Sequence, residues 1–372
     1  MIIQVSTSGK TDEFAEMLNT AAQNDQIKSI LILACDDNQF TPSGIDSCLC
    51  RIQKPIFGGI FPEILVDHQK LAKGFIIAGL TTEARVQVIG GLSNPNKDYE
   101  SEIQDSLSQT GAKTMLVLVD GLATRITSLV DSLFTVFGLD FNYIGGGAGS
   151  LSFQQKPCLF TNEGLIQDSA VLVSVPIESG VGVSHGWMDV AGPFKVTESD
   201  RNQIITLDWK PALEVYRDVV EAHSGLYFTE SNFFDIAKSY PFGINKLGAE
   251  KIVRDPVKVG PKDSLICVGE VPQESYIHIL TGNVDSLVHA AQTALQRSEK
   301  SFHGQGGPKT ALFIDCISRV LFLEDMFMQE LDAVHCSTLP LIGALTIGEI
   351  ANSGSDYLEF YNKTSVVAML EN

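Results

Sequence analysis

Three stretches of the chain share one order of elements, and that order narrows the fold more than any single motif. The first passes from SILILACDD through a short mixed segment to PIFGGIFPEI (55–64) and KGFIIAGL. The second passes from TMLVLVDGL through a helical pattern to NYIGGGAGS (142–150) and LIQDSAVLVSV. The third passes from ALFIDCISR through another helical pattern to PLIGALTIGEI (340–350) and NKTSVVAML. Each reads as strand, helix, strand ending at small residues, loop, strand. The segments 124–138, 211–223, 283–298 and 318–334 space their apolar residues three and four apart, as helices do. Strands alternating with helices predict an α/β or α+β fold, with mixed β-sheets built from weakly repeated strand-helix-strand-strand units.

The glycine-rich strand ends carry a functional expectation. Glycine frees backbone N–H groups and admits close approach, and ligands of open α/β sheets bind beyond the carboxyl ends of strands. The ends at 55–59, 142–147 and 340–345 are therefore expected to converge on one cleft. The alternative is backbone packed on backbone.

Composition excludes some partners. The 372 residues carry 26 basic and 45 acidic side chains, a net charge of -19, which repels nucleic acid and anionic lipid surfaces. The N-terminal segment lacks a signal-peptide pattern and no apolar run is long enough for a membrane span, so the expected location is the cytoplasm. Seven cysteines at scattered spacings form no CxxC pair, and the seven histidines form no HxH or HExxH pattern.

The catalytic strings are incomplete. GGGAGS has Ser150 where a dinucleotide fingerprint needs glycine, and extended sequence follows it; GKT at 9–11 lacks the upstream glycine of a phosphate loop. GVSHG (182–186) spells GxSxG, but reads as a strand end followed by a turn and a second strand, in the manner of a hairpin, with no helix after the serine. The chain is expected not to be an enzyme. The competing reading is an acyl-transfer enzyme with Ser184, Cys316 or Cys336 as nucleophile.

Binding residues are read from glycine-rich ends and nearby polar or aromatic side chains: Tyr143, Gly145, Gly146, Gly147, His185, Gly186, Trp187, Gly343, Glu349 and Asn362. Arg217, on the helix 211–223, suits a carboxylate.

The runs YIGGGAGS…PCLFTNEGLIQDSAVLVSV, GVGVSHGW…FKVTESDRNQIITLDWKPALEVYRDV and PLIGALTIGEI…LEFYNKTSVV resemble the FIST domain proteins over almost the whole chain. At 57–64 the chain departs, reading FGGIFPEI where many members have a Gly-Cys-Ser-Thr-x-Gly-Glu type of stretch. The resemblance implies an N-terminal FIST domain over 1–205 and a C-terminal one over 206–372. It implies an intracellular sensor of a small ligand, with amino acids among the proposed ligands. Stand-alone members include haem-binding nitric oxide sensors that control a histidine kinase. This chain carries no kinase segment of its own, so a separate signalling partner is expected, and a homodimer is compatible with that role. In the haem version His185, which matches the family's His-Gly, would be the axial ligand.

Overall fold

The structure is a computed structural model that describes residues 1–372 except 104–106, 108–110, 247–250 and 353–355. Its body is a threefold repeat. In each repeat two strands run parallel: Ser29–Cys35 with Ile56–Phe61, Thr114–Asp120 with Asn142–Ala148, and Thr310–Cys316 with Leu341–Thr346. A closing strand lies antiparallel to the first of each pair: Phe75–Leu80, Ser169–Val175 and Ser365–Leu370. A leading strand then pairs with the closing strand: Ile2–Ser6, Arg85–Gly90 and Ser179–Ser184. The first strand of every pair is buried along its full length, which is why each reads as an unbroken apolar run.

One glycine per repeat shows how close the equivalence is. Gly58, Gly145 and Gly343 sit opposite Ile32, Val117 and Phe313 in the parallel ladders. A Cβ at these positions would lie 1.9, 1.8 and 2.0 Å from the facing carbonyl oxygen, respectively. No side chain is compatible with those distances, so the glycines follow from the geometry of the pair.

Each repeat also gives a hairpin away. Glu63–Val66 and Gln69–Leu71, from the first repeat, extend the third repeat's sheet through Leu341–Thr346. Leu159–Thr161 and Gly164–Ile166, from the second, extend the first sheet through Ile56–Phe61. Glu349–Ala351 and Glu359–Tyr361, from the third, extend the second sheet through Asn142–Ala148. The exchange is cyclic, and each of the three sheets has six strands.

The third repeat carries an insertion between its leading strand and the helix Val284–Ser301. This insertion, Met188–Thr281, forms a separate antiparallel sheet with the helices Ala212–Ser224 and Phe233–Ala237. The expected hairpin after Ser184 is thus corrected. Ser179–Ser184 pairs with Ser365–Leu370 in the body, whereas Met188–Asp200 pairs with strands of the insertion. The predicted helix over 318–334 is two helices, Ile317–Leu323 and Phe327–Val334. A division at 205/206 falls inside the strand Gln203–Leu207, and strands from both sides of it share the body sheets. Among the described residues no helix is long and apolar enough to cross a membrane.

Candidate functional site

The three glycine-rich strand ends do meet, but the meeting point is closed. Gly147 donates its N–H to Gly348 O (2.8 Å) and accepts from Ile347 N–H (2.8 Å). A Cβ on Gly147 would come within 2.2 Å of Ile347 O, and one on Gly146 within 2.7 Å of Gly348 O. Gly149 N–H reaches Ile60 O at 2.8 Å. The expected cleft among Gly145, Gly146, Gly147 and Gly343 is therefore corrected: the missing side chains permit backbone-on-backbone packing. Tyr143 is also core. Its ring is buried against Phe141, and its hydroxyl donates to Gly138 O at 3.0 Å.

The stretch GVGVSHGW has a similar explanation. A Cβ at Gly180, Gly182 or Gly186 would strike backbone oxygens of the helix Val284–Ser301: Ser298 O at 2.2 Å, Ala294 O at 1.9 Å and Ser286 O at 2.4 Å. The alternating glycines let that helix lie directly on the leading strand, and the GxSxG string is a by-product. His185 and Trp187 mark the crossing from the body into the insertion. His185 Nδ1 accepts the N–H of Trp187 (2.9 Å), which fixes the turn around Gly186. Trp187 is 4% exposed and donates its indole N–H to Lys363 O at 3.0 Å.

Beyond this crossing lies a concentration of buried charge at the end of the third repeat. Arg319, fully buried, bonds Glu330 Oε1 through Nε (2.9 Å) and Nη2 (2.6 Å). Its remaining donors reach the carbonyls of His185 (2.6 Å), Lys363 (3.2 Å) and Leu287 (3.0 Å). Asp315 lies 3.2 Å from the guanidinium. Burial, and then the charge of Glu330, push the Asp315 carboxyl well above the usual carboxylate range. A neutral Asp315 also fits its neighbour, because the single Ser365 hydroxyl lies within hydrogen-bond distance of both Asp315 (3.0 Å) and Glu330 (2.7 Å).

Lys363 extends the cluster to the insertion. Its backbone is left-handed, φ 52°, an uncommon state for a side-chain-bearing residue. Its buried ammonium donates to Lys238 O (2.9 Å), pairs with Asp255 (3.2 Å) and lies 5.0 Å from the centroid of the Trp187 ring. Lys238 and Asp255 both belong to the insertion, so one body lysine ties the two units together. Burial pushes Asp255 up, and Lys363 pulls it partly back.

Glu349 and Asn362, both expected from the sequence, belong here. Glu349 is fully buried and accepts from the hydroxyl of Thr346 (2.9 Å) and the N–H of Thr364 (3.3 Å). Burial pushes the Glu349 carboxyl up to about 8. Asn362, 2% exposed, lines a small cavity of about 60 Å³ together with Cys316, Ser318, Asp255 and Phe234. Among the described residues Asn362 Oδ1 has no hydrogen-bond partner, although a buried amide oxygen ordinarily has one.

Phe234 and Val257 also line a larger open groove of about 830 Å³ on the insertion. Arg217 lies in that groove, exposed, and does not line the inner cavity. A third cavity, about 250 Å³, follows the same seam between Gly121–Thr127 of the second repeat and Cys267–Glu270 of the insertion. Sequence reasoning missed Asp255, Lys363, Arg319 and Glu330. Only Lys363 carried a signal, through its place beside Asn362.

His185 is 8% exposed, its Nδ1 holds the turn, and it does not line the inner cavity. That cavity, about 60 Å³, is too small for a porphyrin. The surroundings of His185, as arranged, do not fit a porphyrin. Among the described residues no group of three or more His, Cys, Asp or Glu is placed to hold a metal ion.

A body of three sheet repeats and an insertion, joined over a seam of buried charge and small cavities, is an architecture suited to ligand binding. The FIST N domain model matches residues 29–210 and the FIST C domain model matches 212–352. The chain belongs to the FIST domain family, whose members are generally associated with sensory signal transduction and small-ligand binding. No curated protein is significantly similar to it.

Proposed function

We propose that the protein is a cytoplasmic sensor without turnover, which binds a small amino-bearing ligand, such as a small amino acid, in the inner cavity. The observation that carries this reading is the small cavity lined by Asn362, whose buried Oδ1 has no hydrogen-bond partner among the described residues, and by Asp255. An unpartnered buried amide oxygen favours an amine or ammonium donor. A buried water needs ~10–15 Å³, so about 60 Å³ holds roughly four to six waters or a group of a few heavy atoms. The rest of a longer ligand would extend past Phe234 toward the groove of Arg217.

Asp255 comes from the insertion, and Cys316 and Asn362 come from the body. A ligand that touches both units has different contacts when they are apart, and this differential affinity is what a sensor requires. The change would be read by a separate signalling protein, a histidine kinase being the family precedent.

The test is thermal unfolding of the full chain with small amino acids and with haemin. A ligand at a hundredfold excess over its Kd should add ~2.7 kcal/mol. Asn362→Leu, which fills the cavity with apolar atoms, should abolish the shift. If no amino acid and no small amine moves the midpoint, the reading fails. The haem version requires the His185 ring to leave its turn. Its signature is a Soret band with added haemin that is lost in His185→Ala.

A further inference from the structure

The open edges of the sheets are not finished alike. Ser179–Ser184 edges the third repeat's sheet, and side chains take up its alternate carbonyls. Val183 O accepts from Arg297 Nη1 (2.5 Å), Val181 O from the Ser301 hydroxyl (3.1 Å) and Ser179 O from Asn142 Nδ2 (2.6 Å). Arg85–Gly90, the edge of the second sheet, begins with an arginine, and Lys97 Nζ donates to Gly90 O (2.5 Å). The opposite edges, Gly164–Ile166, Gln69–Leu71 and Glu359–Tyr361, have three residues each. In the insertion, Pro256–Val259 has a proline, a lysine and a register shift, and Arg254 Nη1 donates to Val253 O (3.0 Å) at the other edge. Shortness, charge, proline, bulges and capped carbonyls all make an edge unfit for another strand.

Ile2–Ser6, the edge of the first sheet, has none of these devices. Its five residues, IIQVS, include no charge and no proline, and they pair with Phe75–Leu80 in unbroken register. Among the described residues no side chain hydrogen-bonds its backbone. Val5 is 40% exposed. At the centre of the strand, the buried Oε1 of Gln4 has no hydrogen-bond partner among the described residues.

We propose that a second copy of the chain pairs with this edge, strand antiparallel to strand, about a twofold axis through Gln4. A twofold perpendicular to the sheet keeps every side chain on its own face. Gln4 then stands opposite Gln4 of the second copy, Ile3 opposite Val5, and Ile2 opposite Ser6. Each Gln4 amide N–H meets the unpartnered Oε1 of the other, and the exposed Val5 gains an apolar cross-strand neighbour. The two six-stranded sheets become one continuous sheet. Charge favours a second copy as the occupant. With a net charge of -19, two copies meet with least repulsion at a neutral segment, and a charged strand would find no counter-charge on IIQVS. None of the cavities along the seam is lined by residues 1–6, so pairing leaves the seam and the groove of Arg217 free. The inference is independent of the ligand reading.

The experiment is sedimentation velocity of the full chain over a concentration series, with circular dichroism to check folding. The unaltered protein should form a dimer. Gln4→Glu sets two carboxylates face to face on the axis and should weaken the dimer roughly tenfold or more at neutral pH, with recovery when acid neutralises them. Val5→Lys puts a charge against the apolar Ile3 of the second copy and should abolish pairing. Directly opposed residues of antiparallel strands are close enough for a disulfide. Gln4→Cys should therefore give, on mild oxidation, an intermolecular disulfide mapped by mass spectrometry to the introduced thiol. A chain that stays monomeric throughout overturns the proposal and leaves the edge to a strand of another protein. A dimer that forms equally well in Gln4→Glu and Val5→Lys, or that cross-links only through the exposed Cys50, overturns it too.

Discussion

The first and third repeats share strand order and register, yet their carboxyl ends are chemically opposite. Cys35 ends the first repeat's strand opposite Phe61, and Cys316 ends the third's opposite Thr346. One residue earlier, Ala34 faces Phe75, whereas Asp315 faces Ser365. The first end is sealed by aromatic rings, with Phe75 packed on Phe14 and Phe40. The third holds Asp315, Arg319, Glu330, Glu349 and Lys363, all fully buried. The second is intermediate: Asp120 spends its carboxylate on Gln155 Nε2 and the N–H groups of Asp168 and Leu122. One scaffold thus tolerates three fillings, and the third combines a fully buried charge network with a small cavity against the insertion. The comparison teaches that the backbone repeat determines where a site can lie and the side chains at each end determine whether one exists.

Breaking the charge network should have the largest effect. Arg319→Met strands Glu330 in the interior, and loss of one partner of a buried pair costs ~3–5 kcal/mol, measured by urea unfolding. A lysine in its place cannot supply the same fork of donors and should recover only part of that loss.

Next is the pH dependence of Glu349. Its folded pKa lies above its unfolded value, so the folded state holds the proton between about 4.5 and about 8. Its contribution to stability is full below about 4.5, declines as pH rises, and levels off above about 8. Glu349→Gln removes that slope. Relative to the unaltered protein, the variant should gain on the order of 5 kcal/mol between the two ends of this window. Parallel unfolding curves across the window would refute the raised carboxyl.

The glycines sharpen the comparison from the other side. Gly58→Ala, Gly145→Ala and Gly343→Ala should each cost ~1–3 kcal/mol by overpacking, and by similar amounts, because the Cβ-to-oxygen clash is the same in all three repeats. Widely different losses would mean that the repeats are not mechanically equivalent. The smallest effect belongs to His185→Ala. Loss of the bond from Trp187 N–H costs ~1 kcal/mol in thermal unfolding and leaves amino-ligand binding in place.

Much of the repeat was legible because its determinants are local. A seven-residue apolar strand, a helix and a glycine forced by a facing carbonyl all leave marks in a short window. The hairpin exchange left none, because strands of three or four residues name no partner, and their partners lie in another repeat. The site was half legible. Glu349 and Asn362 flank the glycine-rich third repeat, so attention to strand ends found them. Asp255 follows the three-residue strand Ile252–Arg254 inside the insertion, and only tertiary packing brings it to Lys363. Tyr143 and the 145–147 glycines pointed to a pocket because a bare backbone has the same sequence signature whether it faces a ligand or another backbone. His185 pointed to a ligand because its partner, the N–H two residues on, depends on a turn that the sequence does not reveal.

The cyclic exchange of hairpins also governs how the chain can be made. The second repeat's sheet is completed by Glu349–Ala351 and Glu359–Tyr361, close to the C-terminus. A ribosome that has released the first two hundred residues has released every strand of the first sheet, but a second sheet whose edge still waits for strands about 150 residues further on. Such edges are templates for strand addition by other chains. A truncation before Glu349 should leave the second repeat's sheet two strands short and expose the edge of Asn142–Ala148.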